Sequence, residues 1–466
     1  LAFGLPSLAY AQDKTEAGSP ESAATIHCIG IEWMIKGDAN HNATCRVEYR
    51  KKDGADWKKG MDLLRCDIVD RQNGFLGSLF NLEPGTAYEI KLQIADPDGG
   101  EKSATISETT RAVPVLPAGG RALHVVPGAG GGDGSETAPF QGLKAAQDAA
   151  KAGDVCLLKP GKYGSFKFDK GGEAGKPICW KSEGEAVLGG SVPAASHLWF
   201  EGLTFRPENK DQEDGFKAEQ SVQDLFVIRC KFLGFHHTMK LGRGNARWYI
   251  ADNVMEGNND PIDGGLGGEG IELGKSSGNI VCYNRISRSA DGVSYPGSEN
   301  DIYGNDIQDV SDDGIETDMG QSNNRIWGNR LTNLCNSVFS WQPMNRGPWY
   351  FIRNQVVMTR GKPLKFVQVT DRFALIHNTF VFPARASEYA QSLFNSYCRN
   401  NLWIVTGPAH PSKPGLFRAA YNSKKPDRPG GSFTPTWMTD IDYDGFDWDT
   451  MADPFDWNGK VYADIG

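Results

Sequence analysis

From Leu198 onward the chain repeats one short hydrophobic template. Runs such as Leu-Trp-Phe-Glu, Phe-Val-Ile-Arg, Tyr-Ile-Ala-Asp, Ile-Val-Cys-Tyr and Tyr-Phe-Ile-Arg are each closed by a polar turn. Asn253, Asn284, Asn305, Asn329, Asn354, Asn378 and Asn400 mark the turns, at intervals of 31, 21, 24, 25, 24 and 22 residues. A second phrase, acid-Gly-aliphatic, recurs at Glu269, Asp291 and Asp313, 22 residues apart each time. A fixed period of this size predicts a solenoid, with like positions stacked about 4.8 Å apart from rung to rung. Side chains alternate faces along a strand, so Ile271, Val293, Ile315, Val338 and Leu364 point inward. Two flanking columns read Glu269, Asp291, Asp313, Asn336, Lys362 and Glu272, Ser294, Glu316, Phe339, Lys365. The asparagines are assigned to structure: an in-register amide ladder satisfies its own hydrogen bonds, and Asn tolerates a left-handed turn.

Before the solenoid the pattern differs. Leu1 to Ala11 is apolar and ends in Ala-Tyr-Ala, the form of a signal-peptidase site, so 1–11 is read as the remnant of a secretory signal. Residues 12–24 are polar and read as a disordered leader. Residues 25–112 alternate as short strands, including Ile29 to Trp33, Cys45 to Tyr49 and Tyr88 to Ile94, with a hairpin turn at Asp96-Pro97-Asp98-Gly99-Gly100. A Pro- and Gly-bearing linker covers 113–120. The solenoid is placed at 121–405, with an amphipathic helix over Phe140 to Ala152 near its start. Residues 257–268 insert into the 31-residue interval just before the acidic columns, as a loop rimming a cleft. The tail, 406–466, packs along the solenoid or closes its end.

Three family resemblances sit on these residues. Leu82-Glu83-Pro84-Gly85-Thr86-Ala87-Tyr88 resembles the tyrosine corner of fibronectin type III domains, which implies a small β-sandwich. The helix followed by Gly153-Asp154-Val155-Cys156-Leu157-Leu158 is similar to the opening of right-handed parallel β-helices of the pectate-lyase-like superfamily, where a helix plugs the exposed end of the coil. The fold class implied is all-β: a right-handed parallel β-helix preceded by a fibronectin type III-like sandwich. Finally, Ser289-Ala290-Asp291-Gly292 followed by Asp312-Asp313 is similar to the Asn-Thr-Asp-Gly…Asp-Asp signature of polygalacturonase-type glycoside hydrolases. Carried over, Asp291, Asp312 and Asp313 are the acid and base groups. The histidine and the Arg-Ile-Lys element of that family have no counterparts here.

Composition narrows the chemistry. A net charge of −9 argues against a nucleic-acid partner, and no apolar run is long enough to span a membrane as a helix. The nine cysteines include no C-x-x-C pair. Two of Cys28, Cys45 and Cys66 could pair in an oxidising compartment, and the solenoid cysteines read as buried small hydrophobes. Stacked carboxylates on an outer face raise the energy of a fold unless something uses them. Asp291 and Asp313 one rung apart would share a proton or a cation, while Glu272 and Glu316 two rungs apart leave room for a water between an acid and a base. The expectation is a secreted or periplasmic, monomeric enzyme that cleaves an acidic polysaccharide, with Asp291, Asp312, Asp313, Glu316 and Glu272 as acid–base candidates and no cofactor. Lyases of the same fold suggest an alternative: Ca²⁺ held by Asp291, Asp313, Glu316 and Asp318, with Lys240 or Lys365 as the base. A second alternative is a β-helix that binds glycans without turnover. Arg243, Trp341 and Arg346 are the candidate sugar contacts. His236 and His237 could be a base or a metal ligand, but adjacent strand positions face opposite sides.

Overall fold

Glu16–Ala24, expected to be disordered, is a strand. It pairs antiparallel with Ile29–Lys36, with an irregularity between Ala17 and Pro20. Its polar composition fits an edge strand whose side chains stay partly exposed. The computed structural model describes residues 12–67, 73–341, 347–366, 370–383, 387–388, 393–394, 396–407, 417–419, 440–448, 455–457 and 460–462. The chain divides into two compact units, Leu1–Val113 and Pro114–Gly466.

The first unit holds two four-stranded antiparallel sheets. One orders Glu16–Ala24, Ile29–Lys36, Asn73–Leu79 and Leu64–Asp67; the other orders Lys58–Lys59, Thr44–Lys51, Ala87–Ala95 and Lys102–Thr109. Alternating residues from both, among them Ile31, Trp33, Cys45, Val47, Phe75, Ile90 and Leu92, form one core. At the corner read from Leu82 to Tyr88, the Glu83 N–H donates to the Tyr88 hydroxyl at 2.9 Å. Cys28, Cys45 and Cys66 are all buried in this unit.

The second unit is a three-sheeted parallel β-helix, with sheets of fourteen, twelve and eight strands. Its one α-helix among the described residues is Leu143–Ala149, shorter than expected because Phe140–Gln141 instead pairs with Ala122–Val126. Leu143 and Ala146 of the helix join the solenoid core. The rungs also run past the expected end: Asp440–Asp442 pairs with Tyr397–Arg399 and Gly445–Asp447 with Leu402–Val405.

The amide ladder is present, with one correction. The ladder starts at Asn253, and each later side chain, Asn284, Asn305, Asn329, Asn354 and Asn378, accepts from the backbone N–H and the amide of the Asn one rung earlier. The next member is Asn401, not Asn400. Asn400 is the residue before it, at φ 57, like Asp252, Tyr283 and Arg353 one position before their asparagines. The left-handed position thus precedes the ladder. The ladder closes on Asp444, which accepts from Asn401.

Candidate active site

The third sheet carries the acidic phrase. Its successive strands include His237–Lys240, Ile271–Glu272, Val293–Ser294, Asp313–Glu316, Ser337–Trp341 and Lys362–Phe366. Ile271, Val293, Ile315, Phe339 and Leu364 stack in register and are all buried in the core. The outward column beside them is Glu272, Ser294, Glu316, Ser340 and Lys365. Phe339 therefore points inward, and Ser340 takes the place expected for it. The preceding column runs through Asp313, Ser337 and Lys362, with Ser337 in the place expected for Asn336. Both corrections have one cause: the coil after Asp313 is 24 residues long, so register read at a shorter spacing slips by one and exchanges inner and outer faces. The glycine of the phrase is also explained. A Cβ at Gly292 would lie 2.5 Å from Gly314 O and 2.6 Å from Ile307, and one at Gly270 would lie 2.5 Å from Ile286.

This register gathers five carboxyl groups. One oxygen from each of Asp291, Asp312 and Asp313 lies within 4.8 Å of the others. The Asp313 N–H donates to Asp291 Oδ1 at 2.8 Å, joining adjacent rungs. Asp313 is 0% exposed; Lys365 Nζ donates to its Oδ2 at 2.8 Å, and the Ser337 hydroxyl donates to Oδ1. Asn336, displaced from the column, donates to Asp312 Oδ1 at 2.7 Å, and Lys365 lies 3.9 Å from that oxygen. Ser340 Oγ donates to Asp318 Oδ1 at 3.3 Å. Ser294 Oγ is buried and has no hydrogen-bond partner among the described residues.

Their electrostatics follow from burial and mutual repulsion. Burial, then the Glu316, Asp313 and Asp312 charges, push Asp291 well above the carboxylate range. Burial and Asp313 also raise Asp312. Glu316 rises to about 7, through burial and then Asp313. Asp318 rises to about 8, through burial and then Glu316. Burial alone would lower the Lys365 ammonium, yet Asp313 and Asp312 hold its pKa above the ordinary value.

A second polar group lies earlier on the same sheet. His237 Nε2 is 2.9 Å from Glu269 Oε2, His237 Nδ1 is 3.4 Å from Asp214 Oδ1, and Lys240 Nζ is 3.1 Å from Glu272 Oε2. Glu272, expected to work with Glu316, belongs to this group. The loop at 257–268 borders the acidic cluster, since the Ser311 hydroxyl, next to Asp312, donates to Gly265 O at 2.8 Å.

Among known proteins, residues 201–345 match the family described as NosD, periplasmic copper-binding protein. That stretch is less than half of the chain and does not place the whole of it in the family. No curated protein matches. Among solved structures, the chain is similar to the catalytic unit of a thermostable GH87 α-1,3-glucanase from Streptomyces thermodiastaticus strain HF3-3, at 11% identity and TM-score 0.37, covering 94% of this chain and 98% of that one. It is similar to Dex49A from Penicillium minioluteum at 8% identity and TM-score 0.34, covering 85% and 74%. It is also similar to the periplasmic alginate epimerase AlgG at 14% identity and TM-score 0.21, covering 55% and 60%. At such identities and scores these likenesses assign no reaction.

The remaining expected site residues are dispersed. Trp341, expected to face outward as a sugar platform, is 1% exposed and packs in the core against Phe351 and Phe373, with ring centroids 4.9 and 5.6 Å away. The same 24-residue coil turns it inward. Arg243 lies in an exposed turn, and no hydrogen bond or ion pair among the described residues joins it to the carboxylates. Arg346 lies outside the described residues. Three groups were missed: Ser337, Asn336 in its true role, and Tyr295. Tyr295 leaves its strand at φ 53, and burial and then the Glu316, Asp291, Glu269 and Asp318 charges raise its phenol, which keeps its proton. The tyrosine ends the Asp-Gly-Val-Ser-Tyr phrase, so its column was readable; its departure from the strand was not.

Proposed function

We propose that the chain is an extracytoplasmic, carbohydrate-active hydrolase that cleaves glycosidic bonds of a polysaccharide at the Asp291, Asp312 and Asp313 cluster. One observation carries this reading. Three carboxyl groups converge within 4.8 Å yet have unlike partners, the arrangement that separates an acid from a base. Asp313 is ion-paired with Lys365 at 2.8 Å. Asp312 has one oxygen held by Asn336 and is driven by burial toward its protonated form. In this scheme Asp312 donates a proton to the departing glycosidic oxygen. Asp313, ion-paired with Lys365, deprotonates the attacking water, and Asp291, which accepts from the Asp313 N–H, orients it. Lys365 is a positioning residue that keeps the cluster from accumulating unbalanced charge. The match to a family named as periplasmic supports the extracytoplasmic assignment. The sandwich, of fibronectin type III type, serves as a spacer or docking module in this reading.

A Ca²⁺-dependent lyase is the second reading, and the three clustered carboxylates favour it, because Ca²⁺ prefers oxygen ligands. Elimination also needs a neutral base, and both Lys365 and Lys240 are held above the ordinary lysine value by adjacent carboxylates. That tips the balance toward hydrolysis. Copper, named in the NosD description, does not suit an all-carboxylate cluster, which lacks the imidazole and thiolate donors that copper favours. A polysaccharide panel read for both product types, with and without chelator, tests the proposal. Hydrolysis gives new reducing ends without unsaturated sugars and is indifferent to chelator. Unsaturated products that depend on added Ca²⁺ would replace it with the lyase reading.

A further inference from the structure

The group formed by His237, Glu269 and Glu272 plays no part in the proposed hydrolysis. It occupies strands earlier than the acidic cluster on the same sheet, and one ligand atom from each residue lies within 4.8 Å of the others. Glu269 is 8% exposed, and its Oε2 is buried without a hydrogen-bond partner among the described residues. His237 Nε2 is 2.9 Å from that oxygen, an ion-pair contact that a bound metal ion would replace. A carboxylate oxygen and an imidazole nitrogen this close, with the imidazole deprotonated, are two lone pairs converging on one point.

The outer contacts point the same way. His237 Nδ1 faces Asp214 Oδ1 at 3.4 Å, the carboxylate contact that fixes the tautomer and ring angle of metal-bound histidines. Lys240 Nζ contacts Oε2 of Glu272 at 3.1 Å. Lys217 contacts Asp214 Oδ2 from the exposed side. That leaves Nε2 of His237, Glu269 and one oxygen of Glu272 as a set of one imidazole and two carboxylates.

We infer that His237, Glu269 and Glu272 form a binding site for a first-row divalent metal ion such as Zn²⁺ or Mn²⁺, with Asp214 orienting His237 from behind. One nitrogen and two oxygens suit these ions. Ligands at about 2.0–2.2 Å from a shared ion stand closer together than 4.8 Å, so loading draws the three side chains inward. The site is separate from the acidic cluster, and it stands whether or not that cluster hydrolyses glycans.

The test is calorimetric titration of the chelator-stripped full chain with Zn²⁺, with bound metal counted after dialysis. One ion per chain is expected. His237→Gln and Glu269→Gln should each weaken binding at least tenfold, and Asp214→Asn by about tenfold through loss of ring orientation. Glu272→Gln, at a less buried position, serves if either inner variant fails to fold by circular dichroism. Asp313→Asn should bind as the unaltered chain does. Absence of a bound ion, equal binding by the His237 and Glu269 variants, or loss confined to Asp313→Asn would each overturn the assignment.

Discussion

Two polar ladders climb the same solenoid and solve the stacking problem in opposite ways. The asparagines at one corner are no more than 2% exposed from Asn253 to Asn401. Each amide both donates and accepts, so a rung is satisfied by its neighbours at about 2.9–3.0 Å. The carboxyl groups of the third sheet are stacked just as tightly and nearly as deeply buried, at 0–8% for Asp291, Asp312, Asp313, Glu316 and Asp318. A carboxylate only accepts, so that stack cannot satisfy itself. It holds together through Lys365, Ser337, Asn336 and retained protons. A ladder that closes on itself is architecture; a ladder that depends on outside donors is held for chemistry.

Exchanging the two residue types sharpens the contrast. Asp313→Asn makes the acidic ladder amide-like at its most buried member, and turnover of the substrate identified by the polysaccharide panel should fall by about 10²–10⁴-fold. Retained turnover would remove Asp313 from the chemistry. The reverse change, Asn305→Asp, sets a carboxylate against Asn329 Oδ1 and Val281 O, which Asn305 now serves as donor. An uncompensated buried charge costs about 3–5 kcal/mol, to be read from the urea midpoint.

Smaller effects follow from protons and from the first unit. Asp318 and Glu316 hold their protons up to about 8 and about 7, against ordinary values of 3.8 and 4.5. The folded state therefore binds more protons than the unfolded chain between roughly pH 4 and 8. The stability this lends is complete below the ordinary values and is lost as pH rises through 7 to 8. Melting temperature should fall over that window, and Asp318→Asn should flatten the fall, raising the pH 8 value by about 2–4 °C. The same scan on Asn329→Ser should keep its slope. Least of all, removing the residues before Val113 should leave turnover of a soluble substrate nearly unchanged, because the described residues of the sandwich hold no acidic cluster like that of the third sheet.

The fold was legible because repetition multiplies a weak signal: seven asparagines and three acid-Gly phrases point to one period. What failed was local. Each rung was placed by counting, and one 24-residue coil moved Phe339 and Trp341 inward and brought Ser337 and Ser340 into the outward columns. A second amide ladder, Asn279, Asn300 and Asn324, went unread although its members are also fully buried and bonded rung to rung. It lies so close in sequence to the first that the two periods overlap. The acidic trio was readable from its phrase. The grouping of His237 with Glu269 was not, since it depends on contacts between strands separated by the inserted loop.

That loop has a consequence for how the molecule comes apart. Asn259 N–H bonds Arg288 O, Gly265 O accepts from Ser311, and Pro261 O accepts from Arg360, 99 residues away. In a simple stacked repeat, each layer senses only the layers it touches, and fraying proceeds one layer at a time. Here a single insertion is fastened to several layers, like a bookbinder's stitch through successive folds. The layers from Arg288 to Arg360 then open as one block, and the carboxyl groups they carry keep their mutual spacing until the whole block lets go.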